Sequence, residues 1–430
     1  MTEQTTPKFT SYQSFVAGLM AFLQFAVILD FMIMSPLGAM IMPALEITPR
    51  QFGTAVSAYA FSAGIAGFLT AGFADRFDRK RLLLFFYTGF ILGTLWCGLA
   101  QSYPMLLAAR IVTGLFGGVI GSVLIAIITD LFPLNQRGRV MGVVQSAFAA
   151  SQVLGLPAGL YLSNHGTWHT PFLAIAAFGV AGGLIIAFRM KPVADHLTLK
   201  QEHSPLAHLF HTIVEPRFTL AFCTTALLTT GGYMLMPFGS AFSVHNLGIS
   251  LTDLPTIYLV TGLCTIFFAP GIGRVTDKIG RMPVFLFGST LTTVMVVTYT
   301  HLGVTPLPLL IAVNVILFLG IFSRMIPYQT LVSTLPEPVK RGSFNAVNAA
   351  IQQLGGGVAS FVAAQIITAG PDGSLSGMPT VGYVVIGTTL TSVFLTWRIQ
   401  TAVRKRQQTA AAPDAPSTST IPTEPLPAEK

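Results

Sequence analysis

Residues 71–81 read AGFADRFDRKR, and residues 273–281 read GRVTDKIGR. The first stretch sets two acids, Asp75 and Asp78, among four bases, Arg76, Arg79, Lys80 and Arg81. It does so in a chain that is only 9% charged, against about 25% in soluble domains. Long apolar runs flank it on both sides, so it reads as a charged turn at a membrane surface. The turn occurs twice. Asp75 and Arg76 align with Asp277 and Lys278 at an offset of 202 residues, and Arg79 aligns with Arg281 at the same offset. Phe31–Met34 (FMIM) meets Tyr233–Met236 (YMLM) at that offset too. Two separate matches at one ungapped offset imply an internal duplication. Such repeats mark secondary transporters, whose substrate site lies near the bilayer midplane between them.

The composition agrees. Hydrophobic residues make up 52% of the 430, and the mean hydropathy is +0.68. About 20 apolar residues make one membrane-spanning helix, and helices satisfy their own backbone in lipid. Twelve such runs are read. The first half gives about 14–38, 52–74, 82–101, 105–131, 140–163 and 170–189. The second gives about 218–242, 256–275, 283–301, 307–330, 345–367 and 380–400. The expected fold is an all-α membrane protein of twelve transmembrane helices in two pseudo-symmetric six-helix bundles, 14–189 and 218–400. Residues 1–13 form an N-terminal segment, 190–217 a linker, and 401–430 a disordered tail rich in Pro, Thr and Ala.

Lys and Arg fix the expected orientation. Nearly all of them fall in alternate connections, and Arg50 is the one base in the other set. The positive-inside rule then puts both termini in the cytoplasm of a multi-pass protein of the bacterial inner membrane. The same pattern accounts for the pI of about 9.5 without a nucleic-acid partner. Cys97, Cys223 and Cys264 lie singly in apolar runs and read as neither a disulfide framework nor a metal site. No phosphate-binding Gly-x-x-x-x-Gly-Lys-Ser/Thr loop, metal-ligand spacing or nucleophile motif is present. Neither direct ATP driving nor an enzyme is expected, nor any cofactor. The expected partners are a small-molecule substrate, protons and the lipid bilayer, with the monomer as the working unit.

Three charges lie inside apolar runs: Asp30 in helix 1, Arg110 in helix 4 and Arg324 in helix 10. Intramembrane charge is costly and faces a cavity or a partner. Burial favours the neutral acid and a nearby cation the carboxylate, so an acid held between the two loads and releases a proton. At the 202 offset Asp30 faces Gly232, Arg110 faces Ala312 and Arg324 faces Ser122. Buried charge is thus unduplicated while loop charge is duplicated, as a substrate or proton site would be. Gln24, Tyr233, Gln145, Gln152 and Asn314 offer neutral hydrogen bonds, or simply helix packing. Met34 and Met236 read as an adaptable lining or as ordinary core. Gly114, Gly117, Gly155, Pro157 and Gly159 permit close helix approach and a kink.

These residues resemble the major facilitator superfamily over about residues 10–400. Its loop motif between helices 2 and 3 is matched by Asp75, Arg76, Arg79 and Lys80, with Ala71 and Asp78 in place of its two glycines. The second copy keeps Gly273, Asp277, Gly280 and Arg281. Asp30, the Arg110-x-x-x-Gly114-x-x-Gly117 run and Gly155-Leu156-Pro157-Ala158-Gly159 are similar to the twelve-helix drug:proton antiporters and arabinose-efflux-type permeases. The resemblance implies that helices 1 and 4 line a central cavity and that Arg110 pairs with Asp30. It implies that Asp75 meets the positive end of helix 11 near Ser343–Asn345. Asp277 would do the same for helix 5 near Arg139, and Asp130 would join through Arg79. Proton-coupled efflux of a drug, sugar or metabolite is the leading expectation. Uptake or facilitated transport of a sugar or organic anion is the alternative, and a substrate-sensing receptor a third.

Overall fold

The computed structural model describes residues 9–70, 76–194, 197, 212–337 and 341–411. Ala71–Asp75, with the Asp75 reading, and most of the linker lie outside the described residues, as does everything past Ala411.

The first half comprises α1 (Ser11–Ile33), α2 (Gly38–Ala44), α3 (Pro49–Thr70), α4 (Arg79–Gly98), α5 (Tyr103–Leu131), α6 (Leu134–Ala150), α7 (Leu156–His165) and α8 (Thr170–Arg189). The second comprises α9 (Pro216–Leu235), α10 (Gly239–His245), α11 (Leu254–Ile279), α12 (Arg281–Thr300), α13 (Leu307–Val332), α14 (Arg341–Ile366) and α15 (Met378–Ala411). Three pairs of these form one broken crossing each: α1 with α2, α6 with α7, and α9 with α10. The result is two sets of six spans, numbered 1–6 and 7–12 below. Among the described residues eleven spans are long and apolar enough to cross a bilayer. Span 11 is the other long helix, of 26 residues, and Asn345, Asn348, Gln352 and Gln353 dilute its apolar content.

The breaks follow from proline, which lacks an N–H and crowds the carbonyl four residues back. Helix 1, expected to run unbroken over 14–38, instead stops at Ile33, and Pro36 sits in the turn before α2. Span 7 breaks at the equivalent place around Pro237. The carbonyl that Pro237 leaves free is that of Tyr233, and the Ser360 hydroxyl of span 11 donates to it at 3.0 Å. In span 5 a widened π turn, Ser151–Gly155, precedes Pro157 and absorbs the missing amide. The last helix continues through residues 401–411, where a disordered tail was expected. Arg, Lys, Gln and Ala there are strong helix formers, and no proline intervenes before Pro413. A short antiparallel hairpin, β1 (Thr368–Ala369) with β2 (Leu375–Ser376), follows span 11. Asn246 at the end of span 7 holds it, donating to the Leu375 carbonyl at 3.0 Å and accepting from its amide at 2.8 Å.

Span 1 starts and span 12 ends on the face that carries the basic connections, called here the basic face. At the opposite face the two halves share one apolar core, in which Ile33, Leu37 and Phe52 meet Phe238, Phe242 and Ile367. Towards the basic face each half has its own core: Leu83, Ile127 and Val140 in one, Phe218, Tyr328 and Phe344 in the other. The halves are therefore joined at one face; towards the basic face span 2 still packs on span 11, with Phe68 against the second core and Gly64 against Leu354, and a cavity opens beside that contact. Direct contacts reinforce the joint. Ser240 donates to the Ser35 carbonyl at 3.0 Å, and Asn164 to the Leu251 carbonyl at 2.9 Å. Gly53 lies so close to Ala364 that a side chain there would collide with it and with Phe238.

Candidate functional site

Asp30 and Arg110 meet inside the first half. Arg110 Nη1 donates to Asp30 Oδ2 at 3.0 Å, and both side chains are fully buried. Each comes from an interior face of a long helix, and small residues bring the neighbouring helices, spans 2 and 5, close against them. Gly114, one turn below Arg110, lies against the Tyr59 carbonyl and Ser62, while Gly117 leaves room for the Tyr59 hydroxyl. Span 5 closes from the other side, with Gly155 against Leu29 and Gly159 against Ile33. Pro157 follows the π turn between them.

Two partners of the pair are not apparent from the sequence pattern. Thr94 of span 3 donates to Asp30 Oδ1 at 3.0 Å. The Arg110 guanidinium lies 4.4 Å above the Tyr59 ring, a cation–π contact. Tyr59 lies 5.2 Å from Phe31, and Phe31 lies 5.7 Å from Tyr233 in the other half. An aromatic bridge therefore leads from the ion pair across the interface, and Tyr233 ends it with a long 3.4 Å hydrogen bond to Gln353. A threonine or tyrosine in an apolar helix looks like any other, so only Arg110 itself signalled that a polar neighbourhood was needed.

A cavity of about 270 Å³ lies between the halves on the basic-face side. Its polar lining is neutral and comes mainly from spans 7, 10 and 11: Thr225, Tyr328, Gln329, Asn345, Asn348 and Gln352. Thr225 joins this wall by donating to Asn348 at 2.7 Å and contacting the Tyr328 hydroxyl at 2.9 Å. Gln145 is the contribution of the first half. Of the residues expected in a substrate cavity, Gln24, Met34, Tyr233, Met236 and Asn314 do not line this one. Gln24 is half-buried in span 1. Met34 is fully buried in the shared apolar core, and Met236 packs against it. Asn314 donates one amide N–H to the Leu310 carbonyl of its own helix at 3.0 Å. Arg324 lines a smaller neighbouring cavity instead. A readable signal did exist, since Asn345, Asn348 and Gln352 recur at steps of three and four and share one helix face.

The charged turns differ between the two copies. Asp78, a departure from the family motif, caps α4 by accepting from the Arg81 amide at 2.9 Å. Its other oxygen accepts from the Val193 amide at 2.8 Å. Arg79 pairs with Asp130 at 3.1 Å, tying span 3 to span 4. Lys80 donates to the Ala187 carbonyl at the end of span 6, at 2.9 Å. Arg76 is exposed. In the second copy Asp277 and Lys278 are exposed and Arg281 is half-buried. None of these three has an ion pair among the described residues. Arg139, expected beside Asp277, instead stacks on Phe9 at 4.6 Å.

Two six-helix bundles that share a core at one face and hold a cavity between them towards the other have the architecture of a membrane transporter. Residues 20–360 match the profile of the Major Facilitator Superfamily. The chain belongs to that family, whose members move solutes across membranes and are not enzymes. It is 24% identical over 380 residues to the uncharacterized MFS-type transporter YceJ of Bacillus subtilis, spanning 87% of this chain and 95% of that protein. It is 27% identical over 218 residues to Multidrug resistance protein 3 of the same organism, spanning 51% of this chain and 42% of that one. The nucleoside transporter NupG superposes with a TM-score of 0.72 at 13% identity, covering 90% of this chain and 99% of that structure.

Proposed function

We propose that this chain is a proton-coupled exporter of a drug, sugar or metabolite in the bacterial inner membrane, with both termini in the cytoplasm and the monomer as the working unit. The observation that carries the reading is the sealed Asp30–Arg110 pair. An acid buried in the membrane interior and balanced by one cation has two available states. As a carboxylate it holds Arg110 and so fixes span 1 against span 4. As a protonated acid it releases the guanidinium, which keeps its contact with Tyr59. The pair is closed off from both faces here, so proton exchange needs the halves to rearrange. Phe31 and Tyr233 straddle the interface that rearranges, so they carry the change between the halves.

By the positive-inside rule the basic face is cytoplasmic, which makes this the inward-facing state. Asp75, Arg76, Asp277, Lys278 and Arg281 then act as latches that engage when the cytoplasmic face closes, with the Arg79–Asp130 pair, already formed within the first half, as their support. The exposure of Asp277 and Lys278 in a state with a cavity on that side fits that role. The neutral polar wall of the larger cavity, with Gln145 and Asn348, is the substrate surface. The likeness to a protein named for multidrug resistance supports export.

Everted membrane vesicles test the reading. A candidate toxic compound should accumulate when the vesicle interior is made acidic, so that protons run outward, and accumulation should stop when the gradient is collapsed. Accumulation indifferent to the gradient would leave facilitated transport and remove the antiport reading.

A further inference from the structure

The buried charges of the two halves do not balance. In the first half Asp30 and Arg110 cancel. In the second, Arg324 is 3% exposed and forms no ion pair with a described residue. Its one hydrogen bond runs from Nη2 to the Ser392 hydroxyl at 3.1 Å. Ser392 has committed its own proton to the Thr389 carbonyl at 2.7 Å. Arg324 Nε is buried with no acceptor. A guanidinium carries five N–H donors, and one neutral hydroxyl does not offset its removal from water. Nor does the side chain reach the membrane surface, since its burial places the head inside the bundle.

The missing acceptor has a place. A cavity of about 20 Å³ adjoins Arg324, room for roughly one water-sized group. Two glycines of span 7 keep it open. A Cβ on Gly231 would stand 3.7 Å from Arg324 Nη1, and Gly232 has nothing within 4 Å of its own. Thr292 of span 9 lines the same cavity, and its hydroxyl is also buried without a partner. The rest of the wall is apolar, including Leu317 and Ile321. A water molecule would satisfy the hydrogen bonds and leave the charge; an anion satisfies both.

We infer that Arg324 and Thr292 form a binding site for a monoanion no larger than a halide or the head of one carboxylate. The apolar wall strengthens the attraction by keeping the local dielectric low. Leu228 and Met325 line both this cavity and the larger one, so the anion enters from the larger cavity past these two side chains. The site serves a free anion and an anionic group on the cargo by the same chemistry. It stands without the proton coupling or the direction of transport.

The test is equilibrium binding of radiolabelled chloride, and separately of radiolabelled acetate, to the full-length protein in lipid nanodiscs. Saturable binding of at least one of them, at about one per chain, is expected. Arg324→Gln should abolish it. Arg324→Lys keeps the charge but loses the planar fork, and Thr292→Val removes one donor. Each should weaken binding about tenfold, the equivalent of ~1.4 kcal/mol. Chloride that acetate displaces marks one shared site. Chloride binding alone marks a resident halide, and acetate binding alone marks a receptor for carboxylate-bearing cargo. No saturable binding of either ion, or unchanged binding in Arg324→Gln, overturns the inference. Where Arg324→Gln does not fold, wild-type affinity in both Arg324→Lys and Thr292→Val overturns it as well.

Discussion

Replacing Asp30 by asparagine keeps the shape of the side chain and removes its charge. Arg110 then points Nη1 at an amide, while its Nε and Nη2 already lack partners in the native structure. Both members of the pair are completely buried, so water cannot take over. Breaking a buried pair from one side costs about 3–5 kcal/mol, because a bare charge is left in low dielectric. Arg110→Gln should cost a similar amount, leaving a carboxylate with Thr94 alone. The double variant Asp30→Asn/Arg110→Gln leaves no charge behind and should cost less than either single change. The coupling between the two sites is then ~3 kcal/mol, about a hundredfold in the folding constant.

Reversible unfolding of the four proteins in mixed micelles measures that coupling. Additive losses, or a loss below about 1 kcal/mol for Asp30→Asn, would refute the buried-pair reasoning. A second readout separates structure from function. Detergent-solubilised wild-type protein should release protons when substrate is added, and the double variant, stable though it is, should release none. Intact release from the double variant would remove Asp30 from the coupling role.

Three further outcomes follow from the geometry. Gly114→Ala should destabilise by about 1–3 kcal/mol, the usual cost of overpacking, because the new methyl meets the Tyr59 backbone; a thermal unfolding scan reads it. Asp78→Ala should cost ~1 kcal/mol by loss of the helix cap and should speed hydrogen exchange at the Val193 amide, which Asp78 holds at 2.8 Å. Gly53→Val should hold the opposite face open, since its side chain occupies the place of Ala364 and Phe238; a cysteine introduced at Ser35 should then react with a membrane-impermeant thiol reagent from that side, and equal labelling in both backgrounds would count against the seal.

The fold was legible in the sequence because its carriers are redundant. Each span needs only enough apolar residues, and each charged turn needs only to lie on the correct side. Two turns at one offset then disclosed the duplication. The helix breaks were less legible. Pro36, Pro157 and Pro237 were visible, but whether proline kinks, widens or stops a helix depends on who receives the freed carbonyl. For Pro237 that partner is Ser360, 123 residues away along the chain. The Asp30–Arg110 pair was legible because lone charges in a membrane must find each other. Its supporting residues, Thr94 and Tyr59, were not, since hydroxyls and rings are tolerated singly in any apolar helix.

The same contrast separates the residues expected in a cavity from those that line the larger one. Met34, Met236 and Asn314 were expected there, yet burial of apolar area places the methionines in the shared core at the opposite face, and Asn314 turns one N–H back to its own helix. The larger cavity instead collects uncharged hydrogen-bonding groups, which cost less to desolvate than a charge does. A charge on that wall would have to be desolvated in every cycle. The buried charges lie off that wall, Asp30 and Arg110 paired in one half and Arg324 beside a smaller cavity in the other.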